Sequence, residues 1–147
     1  MKNLWPKTIN ETEHKITPKE FLNAQMNYLK DSTNGKLQGS ISSLAANSSQ
    51  DFQASEDYKG EQLFIHSMKI YSPSLSYSFT LLRLAHPTLK IYPFTVYSNL
   101  TSEKFTGNSI EKLEEILSNI FNKKEVVEAL SALATQSEEQ EKDNLPF

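Results

Sequence analysis

Cysteine is absent from the 147-residue chain, and its absence excludes a disulfide-stapled scaffold, a thiol enzyme and any cysteine-ligated metal site. The four glycines are too scattered to form the glycine-rich loop that cradles a phosphate before a helix. No apolar run approaches the roughly 20 residues that span a bilayer. Residues 1–6 (MKNLWP) also lack the apolar stretch of a secretory signal. We therefore predict a cytoplasmic protein that makes no membrane contact and carries no cofactor.

Arginine is nearly absent as well, because Arg83 stands alone, and the lysines are scattered apart from Lys123 and Lys124. Proteins that bind nucleic acids normally cluster these side chains against phosphates, so nucleic-acid binding is not expected. The formal net charge of -3 is unevenly placed. Residues 1–107 hold 11 Lys+Arg against 9 Asp+Glu, whereas residues 108–147 hold 4 against 9. The acidity therefore belongs to the C-terminal part of the chain.

Local signals predict one helix near the start of the chain. Thr17, Pro18 and Glu20 fit a capping box with proline at the first helical position. Apolar residues then recur at helical spacing until the turn Asn34-Gly35 ends the helix.

The C-terminal part predicts two helices in succession. Asn108 with Glu111, and then Asn122 with Glu125, resemble helix caps followed by apolar residues at helical spacing. From Gln136 the chain becomes acidic and aperiodic. Residues 136–147 are therefore predicted to be a disordered tail, and residues 137–147 are predicted to be dispensable for folding.

Between these helices, four segments rich in alternating, β-branched or aromatic residues predict strands. In the first, small residues such as Gly39 and Ser43 share one face, which indicates that another element packs close to it. In the third, serine and threonine alternate with Leu75, Tyr77, Phe79 and Leu81, and these four side chains are predicted to be buried. The predicted strands are Lys36–Ala46, Gln62–Tyr71, Ser74–Leu84 and Leu89–Tyr97.

The third and fourth predicted strands can form a hairpin around His86-Pro87. A two-residue turn there would pair Phe79 with Phe94, and a three-residue turn, which shifts every pair by one, is the alternative. Pro93 cannot donate a ladder hydrogen bond, so its strand is predicted to be an edge strand or to bulge at that point.

Together these elements predict an α+β fold. A four-stranded antiparallel meander is followed by two helices and preceded by one, in the order α-β-β-β-β-α-α. The chain divides into a leader of residues 1–15, a single domain of residues 16–135 and the tail of residues 136–147.

The segment SLSYSFTLLRLAHPTLKIYPFTVYS lies at the centre of this order. From Thr17 to Gln136 the chain resembles a group of small uncharacterised bacterial proteins. In them a leading helix precedes a strand that ends in a His turn and a second strand of the type LYPVT, here residues 91–95 (IYPFT). The resemblance implies an α+β fold and a bacterial source, and it implies no activity.

Catalytic and metal-binding motifs are not found in the sequence. None of the serines lies in a Gly-x-Ser-x-Gly elbow, so no catalytic residue is assigned. The histidines His14, His66 and His86 are far apart in sequence and show no metal-ligand spacing, so no metal site is predicted. We interpret His66 as a partly buried, hydrogen-bonded side chain and His86 as a turn residue.

Two functions remain compatible with these residues. The first is a non-catalytic protein-binding module of the immunity or adaptor type, which binds through an edge strand and the acidic helices. The alternative is a small-molecule-binding protein or enzyme with a pocket between sheet and helices. A homodimer is a third possibility. The candidate binding residues are Glu111, Glu114, Glu115 and Glu128 for the first function, and Arg83, His66, His86 and Tyr92 for the second.

Overall fold

A computed structural model describes residues 1–11, 16–47, 58 and 61–144 of the chain. It confirms an α+β fold with an antiparallel sheet, one long helix before the sheet and two after it; a short helix of four residues precedes them in the leader. The helices are α1 (Thr8–Glu11), α2 (Pro18–Ser32), α3 (Ile110–Phe121) and α4 (Lys124–Asp143). The strands are β1 (Gln38–Asn47), β2 (Gln62–Ser72), β3 (Tyr77–Pro87), β4 (Phe94–Ser98) and β5 (Glu103–Gly107). Of the predicted leader, residues 1–11 contain the short α1, and residues 12–15, with His14, lie outside the described residues.

The sheet is an antiparallel meander in the order β1-β2-β3-β4-β5, so the prediction of four strands is wrong by one. The additional strand, β5, is short and mostly polar, and its sequence carries little strand signal. It pairs with β4 from Phe94–Gly107 to Ser98–Glu103. The strand that follows Pro93 is therefore internal, which contradicts the predicted edge position. Pro93 itself precedes β4 and follows Tyr92 through a cis peptide bond.

Both predicted registers of the central hairpin are wrong. β3 continues through His86 and Pro87, because these residues pair with Phe64 and Leu63 of β2. Residues 88–93 then form the connection, and Leu84 pairs with Val96 on β4. A turn at residues 73–76 delays the start of β3, and its last residue, Ser76, has a φ of 50°.

This later start also changes which side chains of β3 are buried. Leu81 is buried as predicted, Leu75 and Phe79 are half-buried, and Tyr77 is exposed.

The three main helices cover one face of the sheet. Paired residues on neighbouring strands point to the same face of the sheet, so the apolar residues of several strands share one face. The core forms between that face and the helices. The predicted close packing over β1 is confirmed at Gly39, where an added Cβ would lie 2.5 Å from Met26 Cγ on α2. The buried core contains Leu22 and Met26 of α2, Met68, Ile70, Leu82, Leu84, Phe94 and Val96 of the sheet, and Leu113, Ile116, Leu117, Ile120, Val126 and Leu133 of α3 and α4.

The opposite face of the sheet carries a smaller apolar cluster. Tyr58 packs over Leu63, Ile65 and Ala85. Its hydroxyl lies 2.9 Å from Thr95 Oγ1 on β4. This contact fixes Tyr58 to the face of the sheet opposite α2, α3 and α4.

The helix ends agree with local capping rules, with small shifts. Thr17 caps α2 as predicted, because its Oγ1 accepts a hydrogen bond of 3.2 Å from the Glu20 N–H. Ser109, one residue after the predicted Asn108, caps α3 by accepting from the Lys112 N–H at 3.1 Å. Asn122 ends α3 by donating to the Ser118 carbonyl, so it does not cap α4.

The predicted disorder from Gln136 is wrong for the described part of the tail. α4 continues to Asp143, and Ser137 is fully buried within it. The Ser137 hydroxyl lies 2.6 Å from that of Ser72 at the end of β2, and it donates to the Leu133 carbonyl. This polar contact holds the second half of α4 on the sheet. Residues 145–147 lie outside the described residues.

Candidate functional site

The sheet brings His66 and His86 together, although the sequence separates them by 20 residues. His86 lies directly opposite Phe64 on β2, so His66 is its diagonal neighbour on the helix-covered face. The two Nε2 atoms are 3.2 Å apart, and both side chains are buried. The Phe64 ring lies about equally far from the two imidazoles, with ring centroids 6.2 and 6.0 Å away.

Backbone carbonyls fix the protonation pattern of this pair. His86 Nδ1 lies 2.8 Å from the Pro87 carbonyl oxygen and 2.9 Å from that of Lys90. Carbonyl oxygens only accept, so His86 Nδ1 carries the hydrogen and the Nε2 of a neutral ring is an acceptor. His66 Nε2–H then donates to His86, and His66 Nδ1 accepts from Ser43 Oγ at 2.7 Å.

The surroundings of His66 keep it neutral. Burial is the largest cause that lowers its pKa from 6.5 to about 4, and electrostatic interactions with His86 and Lys19 contribute to the same shift. At neutral pH His66 is therefore uncharged. The interpretation of His66 as a hydrogen-bonded, buried histidine is confirmed.

A serine bound to a histidine that is oriented by a third group resembles the arrangement of serine nucleophiles. Attack by Ser43 would require His66 to hold the serine proton as an imidazolium. The low pKa of His66 opposes that state, and the third partner is an imidazole rather than a carboxylate. This geometry favours a neutral hydrogen-bonded network over general-base catalysis.

The other residues of the predicted pocket lie elsewhere. Arg83 pairs with Ser67 and Tyr97, and it precedes the core residue Leu84, so it belongs to the face opposite the two histidines. Tyr92 lies beside Phe94, with ring centroids 6.0 Å apart. Burial raises the pKa of Tyr92, and the nearby Glu111 raises it further. Arg83 therefore cannot join His66 and His86 in one pocket between sheet and helices.

Two of the four acidic candidates line a groove where β5 leads into α3. Glu111 and Glu115 form its acidic part, and the groove has a volume of about 630 Å³. Lys112 lies between them and pairs with Glu115 at 3.5 Å. The other lining residues are Pro93, Thr106, Gly107, Asn108 and Ser109.

The remaining two acids do not line this groove. Glu114 is exposed on α3, and Glu128 of α4 pairs with Lys124 at 3.8 Å. At Gly107, an added Cβ would lie 2.7 Å from Lys112 Cγ and 2.8 Å from Phe94 Cζ. The glycine therefore lets α3 start close to the sheet and sets the position of the groove.

Sequence reasoning missed Ser43 and the groove. Ser43 was placed on the correct face of its strand, but only the pairing of β1 with β2 sets it opposite His66. The groove depends on β5, whose strand signal is weak.

No protein-family model matches the chain, and neither a curated protein nor a solved structure matches it. The resemblance to small bacterial proteins stays a prediction. Among the described residues, no helix combines the length and the apolar composition that crossing a bilayer requires.

Proposed function

We propose that the protein is a non-catalytic module that binds another protein, and that the partner segment is basic and extended. The observation that carries this proposal is the position of the acidic groove at the end of β5. β5 is the last strand of the sheet and pairs only with β4 among the described strands. Glu111 and Glu115 lie directly beyond its last residue, Gly107.

A partner strand added along β5 would gain main-chain hydrogen bonds from the sheet, which supply affinity without regard to sequence. Its end would enter the groove, where Glu111 and Glu115 favour lysine or arginine. Glu114 is exposed on the same helix and extends the negative field, which steers a basic partner during association. β1 is the other end of the sheet, and the groove that Ser40 of β1 lines together with Lys69 and Tyr71 contains no acidic side chain.

The binding test uses a labelled decapeptide of alternating lysine and valine, followed by fluorescence anisotropy. Glu111→Lys combined with Glu115→Lys is expected to weaken binding about tenfold, since each reversed charge changes the interaction by roughly 0.5–1 kcal/mol. Added salt should weaken binding to the unmodified protein as exposed charges are screened.

The matched control reverses Glu139 and Asp143, two exposed acids on α4. Ser137 of the same helix contacts Ser72, at the end of the sheet opposite Phe94 and Gly107. The control variant should therefore bind almost as the unmodified protein does. Equal affinity in all three proteins, or equal binding of a glutamate–valine decapeptide, would contradict the proposal.

A bacterial source, a cytoplasmic location and a possible homodimer belong to the same proposal. The pocket function is not proposed, because Arg83 lies on the other face of the sheet from His66 and His86.

A further inference from the structure

The two buried histidines converge on each other in the manner of metal ligands. Their Nε2 atoms face each other at 3.2 Å, while each Nδ1 is engaged on the far side of its ring. His86 Nδ1 is held by two backbone carbonyls, and His66 Nδ1 is held by Ser43. In a histidine that binds metal, one ring nitrogen binds the ion and the other donates to a carbonyl or another acceptor that orients the ring. His86 Nδ1 already makes such a contact, and Ser43 lies where it can accept from His66 Nδ1.

The separation of the two Nε2 atoms also fits a metal ion. With metal–nitrogen bonds of about 2.0–2.1 Å, the distance of 3.2 Å corresponds to a nitrogen–metal–nitrogen angle of about 99–106°. That angle is close to the tetrahedral value, so the spacing of the two nitrogens suits an ion bound by both.

The hydrogen that lies between the two Nε2 atoms can move away from them without a proton leaving the protein. Without an ion, His66 Nε2–H donates to His86, and Ser43 donates to His66 Nδ1. When an ion binds, the hydrogen shifts from Nε2 to Nδ1 of His66, and the Ser43 hydroxyl turns to accept from it. A serine hydroxyl can donate or accept, so the shift keeps the number of hydrogens on His66 unchanged and leaves both Nε2 lone pairs for the ion.

We propose that His66 and His86 bind a divalent transition-metal ion of the class that prefers imidazole, such as Zn²⁺, and that Ser43 is a positioning residue for His66. Among the described residues, no three His, Cys, Asp or Glu side chains converge, so water completes the coordination shell. The inference is independent of the peptide groove.

The first measurement follows the unmodified, tag-free full chain as Zn²⁺ is added. Histidine ¹⁵N resonances are recorded together with calorimetry. The Nε2 signals of His66 and His86 are expected to shift with one equivalent of zinc, while their Nδ1 signals show attached hydrogens. Unchanged Nε2 signals at millimolar zinc would overturn the proposal, and this readout needs no variant to fold.

The second measurement compares variants whose fold is checked by circular dichroism. His66→Gln and His86→Gln should each weaken zinc binding at least about tenfold. Ser43→Ala, which removes only the group that orients His66, should weaken zinc binding by a smaller factor than either histidine variant. Ser42→Ala, at the neighbouring position on the other face of β1, is the matched control and should bind as the unmodified protein does. Zinc affinity that survives both histidine substitutions would assign the ion to surface carboxylates and overturn the proposal.

Discussion

At the scale of single residues, Gly39 sets how closely α2 can approach the sheet. A Cβ at this position would lie 2.5 Å from Met26 Cγ and 2.6 Å from its Sδ. Gly39→Ala forces Met26 out of its place in the core, so we expect a loss of about 1–3 kcal/mol in the free energy of unfolding. Ser40→Ala, at the next and exposed position, should change it by less than about 0.5 kcal/mol. Chemical denaturation checks both, and equal effects would contradict the close packing of α2 on β1.

His66 gives the fold a pH dependence of predictable sign. Its pKa is 6.5 when unfolded and about 4 in the folded protein, so the unfolded state binds more protons between these values. The stability contributed by neutral His66 should therefore be complete above pH 6.5 and should fall steadily as the pH is lowered towards 4.

Denaturation of the unmodified protein and of His66→Gln across this range, with EDTA present, measures this contribution. The difference in unfolding free energy between the two proteins should change between pH 6.5 and 4 and level off below. A constant difference over the range would show that His66 is not held neutral by its burial.

The burial of His66 follows from sequence, whereas its partners do not. Its neighbours Phe64 and Met68 recur at strand spacing, and that local pattern places the ring on the covered face. His86 and Ser43 reach it only through the pairing of three strands, which depends on contacts distant in sequence.

At the scale of elements, α4 is anchored by a polar contact beyond the point where its apolar periodicity fades. Ser137 is fully buried and shares a hydrogen bond with the buried Ser72. Ser137→Ala leaves that partner incompletely satisfied, so we expect a loss of about 1–3 kcal/mol. Truncation after Gln136 removes the same contact and should also lower the thermal midpoint.

Ser131→Ala is the control for this prediction, because Ser131 is exposed on the same helix. Its effect should stay within about 0.5 kcal/mol. A truncated protein that melts at the temperature of the full chain would restore the expectation that residues after Gln136 are dispensable.

The elements that the sequence predicts well are those whose signals are local. The start of α2 follows from Thr17 and Pro18, and the turn after it from Asn34 and Gly35, where φ is positive at both residues. The predicted register of the central hairpin is wrong because it depends on contacts distant in sequence. Pro87 is typical of a turn, but it pairs with Leu63 of β2, so β3 extends past the expected turn.

β5 is not predicted from the sequence because the formation of this strand depends on its pairing with β4. The segment Glu103–Gly107 contains only one threonine and one phenylalanine among residues that favour strands. Its pairing with β4 stabilises it, and that pairing also creates the groove beside α3. The candidate acids could therefore be named from sequence, but their arrangement could not.

At the scale of the whole molecule, the two sites lie towards the same end of the sheet. Phe94 and Gly107 mark that end at the groove, and Pro87, next to His86, marks it on β3. The contact of Ser137 with Ser72 lies at the opposite end. Peptide binding and zinc binding are thus expected near one another, on the end of the sheet from which α3 departs.

The proposed partner, a basic and extended segment, would bind along β5 and into the groove lined by Glu111 and Glu115. Chemical-shift mapping of the ¹⁵N-labelled protein with the lysine–valine decapeptide tests it most directly. We expect the largest amide shifts in β5 and the first turns of α3, and no shifts there with the glutamate–valine decapeptide. Largest shifts in β1, or none in β5 at saturating peptide, would contradict it.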